Sequence, residues 1–163
     1  MPSQPPVWQQ ASDPDRVTRL LELSDRAVAG DGPVPRRNPA STSRLVRDGS
    51  VFLLTDGDTD LAMITVCEAE PTEEGERYYP PTERPAYMRR LAVHPDRQGS
   101  LLAMQAVQHA IRIARQRGAT ALRCETNPDN EAALRLLQLQ GFRTCSPSLE
   151  ADGTRHVLLW RAV

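Results

Sequence analysis

The chain has 163 residues, of which 39% are hydrophobic and 25% are charged, and its net charge at neutral pH is −1. These values are ordinary for a globular domain, so they exclude wholesale disorder and argue against a protein that coats nucleic acid. All 20 basic residues are arginine. The absence of lysine excludes a lysine Schiff base, a lysine general base and the lysine of a phosphate-binding loop.

Neither the N-terminal residues nor the cysteines point to secretion or to metal binding. Residues 1–6 contain three prolines and no apolar segment, so we expect a flexible tail rather than a signal peptide. No apolar run approaches the ~20 residues that a membrane span needs. Cys67, Cys124 and Cys145 are widely spaced and lack a metal-ligand pattern. We therefore expect a cytoplasmic protein with no metal, no membrane and no nucleic-acid partner.

The first part of the chain predicts a strand, two helices and a hairpin. Residues 12–15 combine a capping oxygen, a proline and two acids, which is typical of a helix start, and Gly30 ends that helix. A turn rich in Asp and Gly at 56–59 joins two apolar strands, which favours a β-hairpin. The remaining elements are strand 7–11, a proline-containing loop at 30–39, helix 39–47, and the hairpin strands 51–55 and 60–67.

The second part alternates strands with helices after a glutamate-rich segment, 68–85, that we interpret as a long loop. The predicted elements are strand 87–93, helix 101–118, strand 121–126, helix 130–140 ending at Gly141, strand 142–145, a turn at 152–153 and strand 156–160. This order predicts an α/β fold with a mixed sheet covered by helices. Because no second-domain boundary is visible, we expect residues 7–163 to form a single domain.

Residues 91–103 place a buried strand, a tight turn and the start of a long helix in succession. Such a turn aims several backbone N–H groups at one point, where the helix dipole is positive, which suits a phosphate group. An ordinary strand-to-helix connection with one turn glycine gives the same pattern. Geometry alone leaves both interpretations open.

Two motifs resemble the signatures of the GNAT superfamily of acyl-CoA-dependent N-acyltransferases. The run Leu91-Ala92-Val93-His94-Pro95-Asp96-Arg97-Gln98-Gly99 is similar to its acetyl-CoA-binding motif, a strand ending in L-A-V-H-P followed by a Gln/Arg-x-x-Gly-x-Gly/Ala loop. The run from Asn127 to Leu136, followed by Gly141-Phe142, is similar to the second signature, N-x-x-A-x-x-L-Y-x-x-x-G-F. The motifs stand in the family's order, and the resemblance covers residues 50–145 well.

The resemblance implies a fold, a reaction and a binding site. The fold would be a mixed, mostly antiparallel central sheet with helices on both faces and a splayed parallel strand pair that forms the CoA slot. The enzyme would move an acetyl or related acyl group from acyl-CoA to a small-molecule or peptide amine by direct attack in a ternary complex. Self-association into a homodimer stays open. Acetyl-CoA would contact Leu91, Ala92, Val93, Gln98, Gly99, Ser100, Leu101, Leu102, Ala103 and Asn130, although Asn130 equally suits a helix cap.

The chain departs from the family at three positions. Leu101 stands at the middle glycine of the loop, Leu137 stands where the family often has a tyrosine acid, and Met88-Arg89-Arg90 replace a region that often holds a glutamate base. We take Glu125 and His94 as candidate bases. Their alternatives are a solvent-facing or Arg-paired carboxylate and a structural histidine, and water could also accept the proton. Backbone N–H groups near Ala92 and Val93 would stabilise the oxyanion.

Other interpretations of these residues remain open. The fold could serve as a non-catalytic acyl-CoA-binding or regulatory module, or as an enzyme of specialised metabolism that reuses the CoA pocket. The glutamates between Glu68 and Glu76 suit a solvated loop, or a surface that attracts a cationic amine. Cys124 suits a buried strand position better than an acyl-carrying nucleophile, because no cation or helix N-terminus is placed to lower its pKa.

Overall fold

The computed structural model describes residues 4–68, 73–151 and 153–163. Part of the predicted tail, and Asp152 of the predicted turn, lie outside these ranges. Within them, no helix is both long and apolar enough to cross a membrane. The elements are β1 (Val7–Gln10), α1 (Pro14–Ala29), α2 (Pro39–Arg47), β2 (Val51–Asp56), β3 (Thr59–Cys67), α3 (Glu73–Glu76), β4 (Pro85–Val93), a 3₁₀ turn (Pro95–Arg97), α4 (Leu102–Gln116), β5 (Ala121–Thr126), α5 (Glu131–Leu139), β6 (Arg143–Thr144), β7 (Leu149–Ala151) and β8 (Thr154–Ala162).

The described strands form one sheet in the order β1-β2-β3-β4-β5-β8-β6, and β7 also pairs with β8. Antiparallel pairs predominate, whereas β4 and β5 run parallel. A long helix between two neighbouring parallel strands is the expected crossover connection. The predicted mixed, mostly antiparallel α/β fold is therefore confirmed.

The Cα positions group into two compact units, the first made of the described residues up to Thr65 together with 90–106. Asp13 starts α1 by accepting a hydrogen bond from the Asp15 N–H at 2.9 Å, and Gly30 ends it with a positive φ of 55°. The apolar face of α1 buries Val17, Leu20 and Leu21. Both ends of this helix lie where the sequence predicts them.

The hairpin of β2 and β3 forms the core of this first unit. Phe52 pairs with Ile64 and Leu53 with Met63, and all four side chains are buried. A second group of buried side chains extends this core to the C-terminal end of β4, and it consists of Leu54, Leu61, Ala62 and Val93, with Trp8, Leu102 and Ala103 packed against it. This packing fixes both sides of the turn between β4 and α4.

The second unit comprises residues 66–89 and 107–163, of which 69–72 and 152 are not described. Its parallel ladder pairs Pro85 with Ala121, Ala86 with Leu122 and Tyr87 with Arg123. The ladder ends there, although β4 continues to Val93 and β5 to Thr126. The slot that this arrangement would offer to a CoA arm stays a prediction, as does the single domain.

Three parts of the sequence prediction need correction. Residues 69–72 of the acidic segment 68–85 lie outside the described residues. The described remainder is not a loop throughout, because it contains the short helix α3, and β4 already begins at Pro85. Strand β7 was not predicted, since three residues carry too short a pattern to recognise. Strand β8 extends to Thr154 and Ala162, beyond the predicted 156–160, because its pairing with β5 and β7 continues there.

Candidate functional site

The turn between β4 and α4 is closed by its own side chains. The Gln98 side-chain amide donates to the Val93 carbonyl at 2.9 Å, which ties the turn back to the end of β4. His94 Nδ1 accepts a hydrogen bond from the Asp96 N–H at 3.2 Å, so the imidazole caps the 3₁₀ turn. This contact gives His94 a structural role, while its assignment as a base stays a prediction.

Several backbone N–H groups follow this turn without an acceptor among the described residues. Leu102 donates to the Ser100 hydroxyl at 3.3 Å, but the N–H groups of Gly99, Leu101, Ala103 and Met104 have no such partner. The first turn of α4 also carries no acidic residue. A row of free donors at the positive end of a helix dipole is a site for an anion such as a phosphate. We call these four N–H groups the α4 cradle.

The backbone of the α4 cradle requires glycine at position 99 but not at position 101. Gly99 has a φ of +76°, and a Cβ at this position would meet no atom within 4 Å, so conformation rather than space requires glycine there. Among the described non-glycine residues only Arg90 has a positive φ. Leu101 therefore adopts an ordinary conformation, and its side chain is 66% exposed. The leucine does not distort the turn.

A backbone irregularity at Arg90 interrupts β4 just before the predicted acyl-CoA residues. Its φ of 51° is unusual for a non-glycine residue inside a strand and indicates local strain. The guanidinium donates to the hydroxyls of Thr42 at 2.8 Å and Ser41 at 3.0 Å, which holds the strained residue in place. Beyond it, Leu91 is partly exposed, whereas Ala92 and Val93 are buried. No feature of the sequence identifies this position.

Glu125 lies near the end of β5, in the second unit, with its carboxylate half exposed. Its side chain is 47% exposed, and Oε2 lies 4.0 Å from Nε2 of His156 on β8. The described residues place a histidine rather than an arginine beside this carboxylate, so of the two structural alternatives its exposure agrees with the solvent-facing one. Sequence reasoning missed His156 because the pairing of β5 with β8 is needed to place it there. The role of Glu125 as a base stays a prediction.

In the second sequence motif, Asn130 serves as the cap of a helix. Asn130 Oδ1 accepts a hydrogen bond from the Ala133 N–H at 3.1 Å and so caps α5. The capping interpretation is thus observed, while a contact of Asn130 with CoA stays a prediction. Leu137, at the family's tyrosine position, is 6% exposed and packs as a core residue. It offers no proton to a leaving thiolate.

Cys124 is a buried strand residue. Burial is the main cause that raises the pKa of its thiol, and the neighbouring Glu125 raises it further. A thiol in this state is a poor nucleophile, since the thiolate is the reactive form. The Cys124 carbonyl accepts a hydrogen bond from the Tyr79 hydroxyl at 3.0 Å. These observations favour the structural interpretation of Cys124 over an acyl-carrying one.

In the second unit, near the end of the parallel ladder, the buried residue Arg123 binds several polar side chains. Arg123 is 1% exposed, and its Nη1 donates to both carboxylate oxygens of Glu76 at 2.7 Å each and to the Tyr87 hydroxyl at 2.8 Å. Its Nη2 donates to the Pro80 carbonyl at 3.0 Å. Arg123 Nε is buried and has no hydrogen-bond partner among the described residues. We call Glu76, Tyr79, Tyr87 and Arg123 the Arg123 cluster.

Two aromatic rings enclose the guanidinium of this cluster. The Arg123 carbon Cζ lies 4.6 Å from the Tyr79 ring centroid and 5.7 Å from that of Tyr87, within the range of cation–π attraction. The Tyr87 hydroxyl donates to Glu76 Oε2 at 3.0 Å. Burial raises the pKa of Tyr87, which keeps this hydroxyl protonated at neutral pH. The carboxylate of Glu76 is consequently fixed by three hydrogen bonds, yet its side chain remains 38% exposed.

The Arg123 cluster was not predicted from the sequence. An arginine inside the apolar strand 121–126 signals that a buried charge needs a partner. The glutamate-rich segment offers several carboxylates, and no local pattern selects Glu76 among them. Within the described residues, Glu76 is the acid that pairs with Arg123.

Comparisons with known proteins agree with this fold. The sequence model of the Acetyltransferase (GNAT) family matches residues 16–142. The fold is similar to that of Ard1 from Thermoplasma volcanium, with a TM-score of 0.75 and 15% identity over 98% of this chain and 99% of that one. It is also similar to a chain of the NatC complex bound to Gag peptide and CoA, with a TM-score of 0.74 and 14% identity over 98% and 99% of the two chains.

A third solved structure with the same fold contains the cofactor itself. It is yncA from Salmonella typhimurium with acetyl-CoA, with a TM-score of 0.69 and 16% identity over 98% of this chain and 94% of that one. No curated protein matches the sequence. Because the family model spans most of the chain, the chain belongs to the acetyltransferase (GNAT) family.

Proposed function

We propose that this protein is an acyl-CoA-dependent N-acyltransferase that moves an acetyl group to an amine. The α4 cradle is the observation that carries the proposal, since four free N–H groups at a helix N-terminus suit the pyrophosphate of CoA. Family membership and the fold shared with structures that hold CoA or acetyl-CoA support it. Gly99, Ser100, Leu101 and Ala103 would surround the pyrophosphate, and the backbone of Leu91, Ala92 and Val93 would bind the acyl-bearing arm.

The reaction would be a direct transfer in a ternary complex. The neutral amine attacks the thioester carbonyl, the C–N bond forms, the C–S bond breaks, and CoA leaves as a thiolate. The second proton of the attacking nitrogen passes through water to that thiolate, so the products are the N-acetyl amide and free CoA. An alkyl ammonium with a pKa of ~10.4 must first lose a proton, which costs about 4–5 kcal/mol at pH 7. Glu125 is the proposed acceptor of that proton, either directly or through water. The raised pKa of the Cys124 thiol is in keeping with a route that forms no acyl-enzyme.

The acceptor class is proposed from the same family. The NatC structure that shares this fold is bound to a peptide, which makes a peptide amine one candidate beside small-molecule amines. The second candidate function is a non-catalytic acyl-CoA-binding module. One observation favours it, namely that Leu137 is a buried core residue where the family often has its tyrosine acid.

Release of free CoA from acetyl-CoA, measured with a panel of small amines and short peptides, separates the two functions. The proposed enzyme releases CoA in proportion to amine and forms the N-acetyl product, seen by mass spectrometry. A binding module shows acetyl-CoA affinity in calorimetry but no amine-dependent release. Absence of both would contradict the proposed function.

A further inference from the structure

We propose that a small pocket of the second unit binds an organic oxyanion, such as a carboxylate, through the guanidinium groups of Arg84 and Arg117. The residues that line it all belong to that unit and lie between Val66 and Ala119. They include the first residues of β4, whereas the residues proposed to bind acyl-CoA begin at Leu91, near the end of that strand. The inference therefore concerns a second ligand and does not rest on the proposed N-acyltransferase function. We call this site the Arg84 pocket.

The Arg84 pocket has the size of a small organic molecule. Its volume is about 280 Å³, just under the ~300–1,000 Å³ of sites that hold drug-sized ligands. Apolar side chains contribute part of the lining, and they belong to Val66, Cys67, Pro85, Ala86 and Ala119. The pocket can therefore receive a short apolar body beside a charged group, but it is too small for acetyl-CoA or a nucleotide.

Arg84 supplies hydrogen-bond donors that no described residue accepts. It is exposed, and its guanidinium, with five N–H groups, makes no hydrogen bond or ion pair within the described part of the chain. Its main chain is fixed, since the Arg84 N–H donates to the Thr120 hydroxyl at 3.0 Å and its carbonyl accepts from the Thr120 N–H at 2.8 Å. Because arginine keeps its charge at neutral pH, these donors suit an anionic ligand.

The backbone after α4 leaves room for the Arg84 guanidinium. Gly118 has a φ of +76°, and a Cβ at this position would lie 3.3 Å from Arg84 Nη1 and 3.7 Å from Arg84 Cζ. A side chain at position 118 would therefore crowd the guanidinium, besides straining the turn. The charged group of Arg84 consequently lies against the backbone that directly follows Arg117.

Arg117 places a second guanidinium in the same pocket. Its Nη1 donates to the Val66 carbonyl, near the end of β3, at 3.0 Å. Two like charges that line one small cavity repel each other, and an anion bound by both lowers this cost. An oxyanion also accepts parallel N–H bonds from a guanidinium, which adds shape complementarity to charge. Glu68 lines the pocket as well but pairs with neither arginine, so its carboxyl can accept a hydrogen bond from a donor on the ligand.

A purely structural role of the two arginines is the alternative. Arg117 directly follows α4, and cations near the last turn of a helix compensate the negative end of its dipole. In that case Arg84 and Arg117 would stabilise the helix end, and the pocket would have no affinity for small anions. The two interpretations differ in one measurable property, the charge-selective binding of a small ligand.

Calorimetry with benzoate and benzamide tests the inference, because the two probes share a planar shape and differ in charge. We expect benzoate to bind with a Kd in the millimolar range or tighter, and benzamide to bind at least about tenfold more weakly. Acetate should bind more weakly than benzoate, since it leaves the apolar lining uncovered. Phenyl phosphate replaces the carboxylate by a phosphate ester and shows which of the two oxyanions the pocket prefers.

Three variants locate the binding. Arg84→Gln should weaken benzoate binding by at least about tenfold and still fold, because Arg84 is exposed and keeps its main-chain bonds to Thr120. Arg115→Gln removes the same charge from an exposed position of α4 outside the pocket, and should bind benzoate as the wild type does. Gly99→Glu, which places an anion in the α4 cradle, should also bind benzoate normally, which separates the Arg84 pocket from the proposed CoA site.

Three results would overturn the inference. They are the absence of saturable binding of benzoate and phenyl phosphate to the wild type, equal affinity for benzoate and benzamide, and unchanged benzoate affinity in a folded Arg84→Gln protein. Each of them leaves the proposed N-acyltransferase function untouched, since none of these measurements involves acetyl-CoA or an amine.

Discussion

One nitrogen of Arg123, Nη1, donates to both carboxylate oxygens of Glu76 at 2.7 Å each, although the two residues lie 47 positions apart in the sequence. The guanidinium is almost fully buried, whereas the carboxylate is partly exposed. Removal of Arg123 and removal of Glu76 therefore have different physical consequences. A carboxylate left alone can be hydrated, but a guanidinium left alone stays buried without its counter-charge.

This asymmetry predicts the order of stability in a double-mutant cycle. Glu76→Gln should lower the free energy of unfolding by about 3 kcal/mol, because it leaves a buried charge uncompensated. Adding Arg123→Met to this variant should recover at least about 1 kcal/mol of the loss, because the unpaired charge is removed. Urea unfolding followed by circular dichroism measures each value. A double variant less stable than Glu76→Gln would show that the guanidinium contributes through its ring contacts rather than its charge pair.

Restoring the family's glycine at position 101 should leave acetyl-CoA binding intact or improve it. The Leu101 side chain is 66% exposed and its backbone needs no positive φ, so Leu101→Gly removes little packing. The cost in stability should be about 0.5–1 kcal/mol, from the greater freedom of glycine in the unfolded chain. Calorimetry with acetyl-CoA measures the affinity. A large loss of affinity would mean that the leucine side chain is itself part of the binding site.

Glu125→Gln tests the proposed base. The amide keeps the shape and hydrogen bonding of Glu125 but cannot take a proton, so kcat should fall by about 10²–10⁴-fold with an unchanged acetyl-CoA Kd. Activity should recover at high pH, where free amine is already present. Glu150→Gln, an exposed acid on β7, is the control. Near-normal kcat in Glu125→Gln at pH 7 would leave water as the proton acceptor.

His109 on α4 should make stability depend on pH in the acid range. Burial, with a smaller contribution from Arg112, lowers the pKa of His109 to about 4 in the folded protein, against ~6.5 in an unfolded chain. Between these values the unfolded state binds more protons, so the stabilisation present above pH ~6.5 is lost as pH falls toward 4. Because the side chain is partly exposed, we expect a loss on the order of 1–2 kcal/mol.

The measurement compares wild type with His109→Gln, which cannot titrate. Urea unfolding at pH 7 and pH 4.5 gives the pH dependence of each protein, and other titrating groups contribute equally to both. The wild type should lose more stability than the variant over this interval. Parallel pH profiles for the two proteins would contradict the assignment of a lowered pKa to His109.

The elements that could be predicted from the sequence are those with local signals. Asp13 and Gly30 mark both ends of α1, Asn130 caps α5, and the apolar pattern of residues 121–126 matches β5 within a residue. Each of these signals is contained in a few neighbouring residues. The order of strands and helices then determines the α/β class, and two motifs point to the family.

The parts that could not be predicted depend on contacts between distant residues. The pairing of Arg123 with Glu76 and the approach of His156 to Glu125 arise only when β4, β5 and β8 are assembled. The positive φ at Arg90 has no counterpart in the sequence, because arginine gives no signal for it. Helix α3 was missed because its four residues include a glycine, which disfavours a helix.

Binding of acetyl-CoA to the α4 cradle is the central claim, and calorimetry on Gly99→Glu tests it most directly. Gly57→Glu is a matched control, because Gly57 also has a positive φ, of 58°, and open space around its Cβ, but it lies in the hairpin turn of β2 and β3. Both variants should therefore lose similar stability, about 1 kcal/mol. We predict that Gly99→Glu abolishes acetyl-CoA binding, because it places a carboxylate beside the pyrophosphate, while Gly57→Glu binds as the wild type does. Wild-type affinity in a folded Gly99→Glu protein would contradict the account.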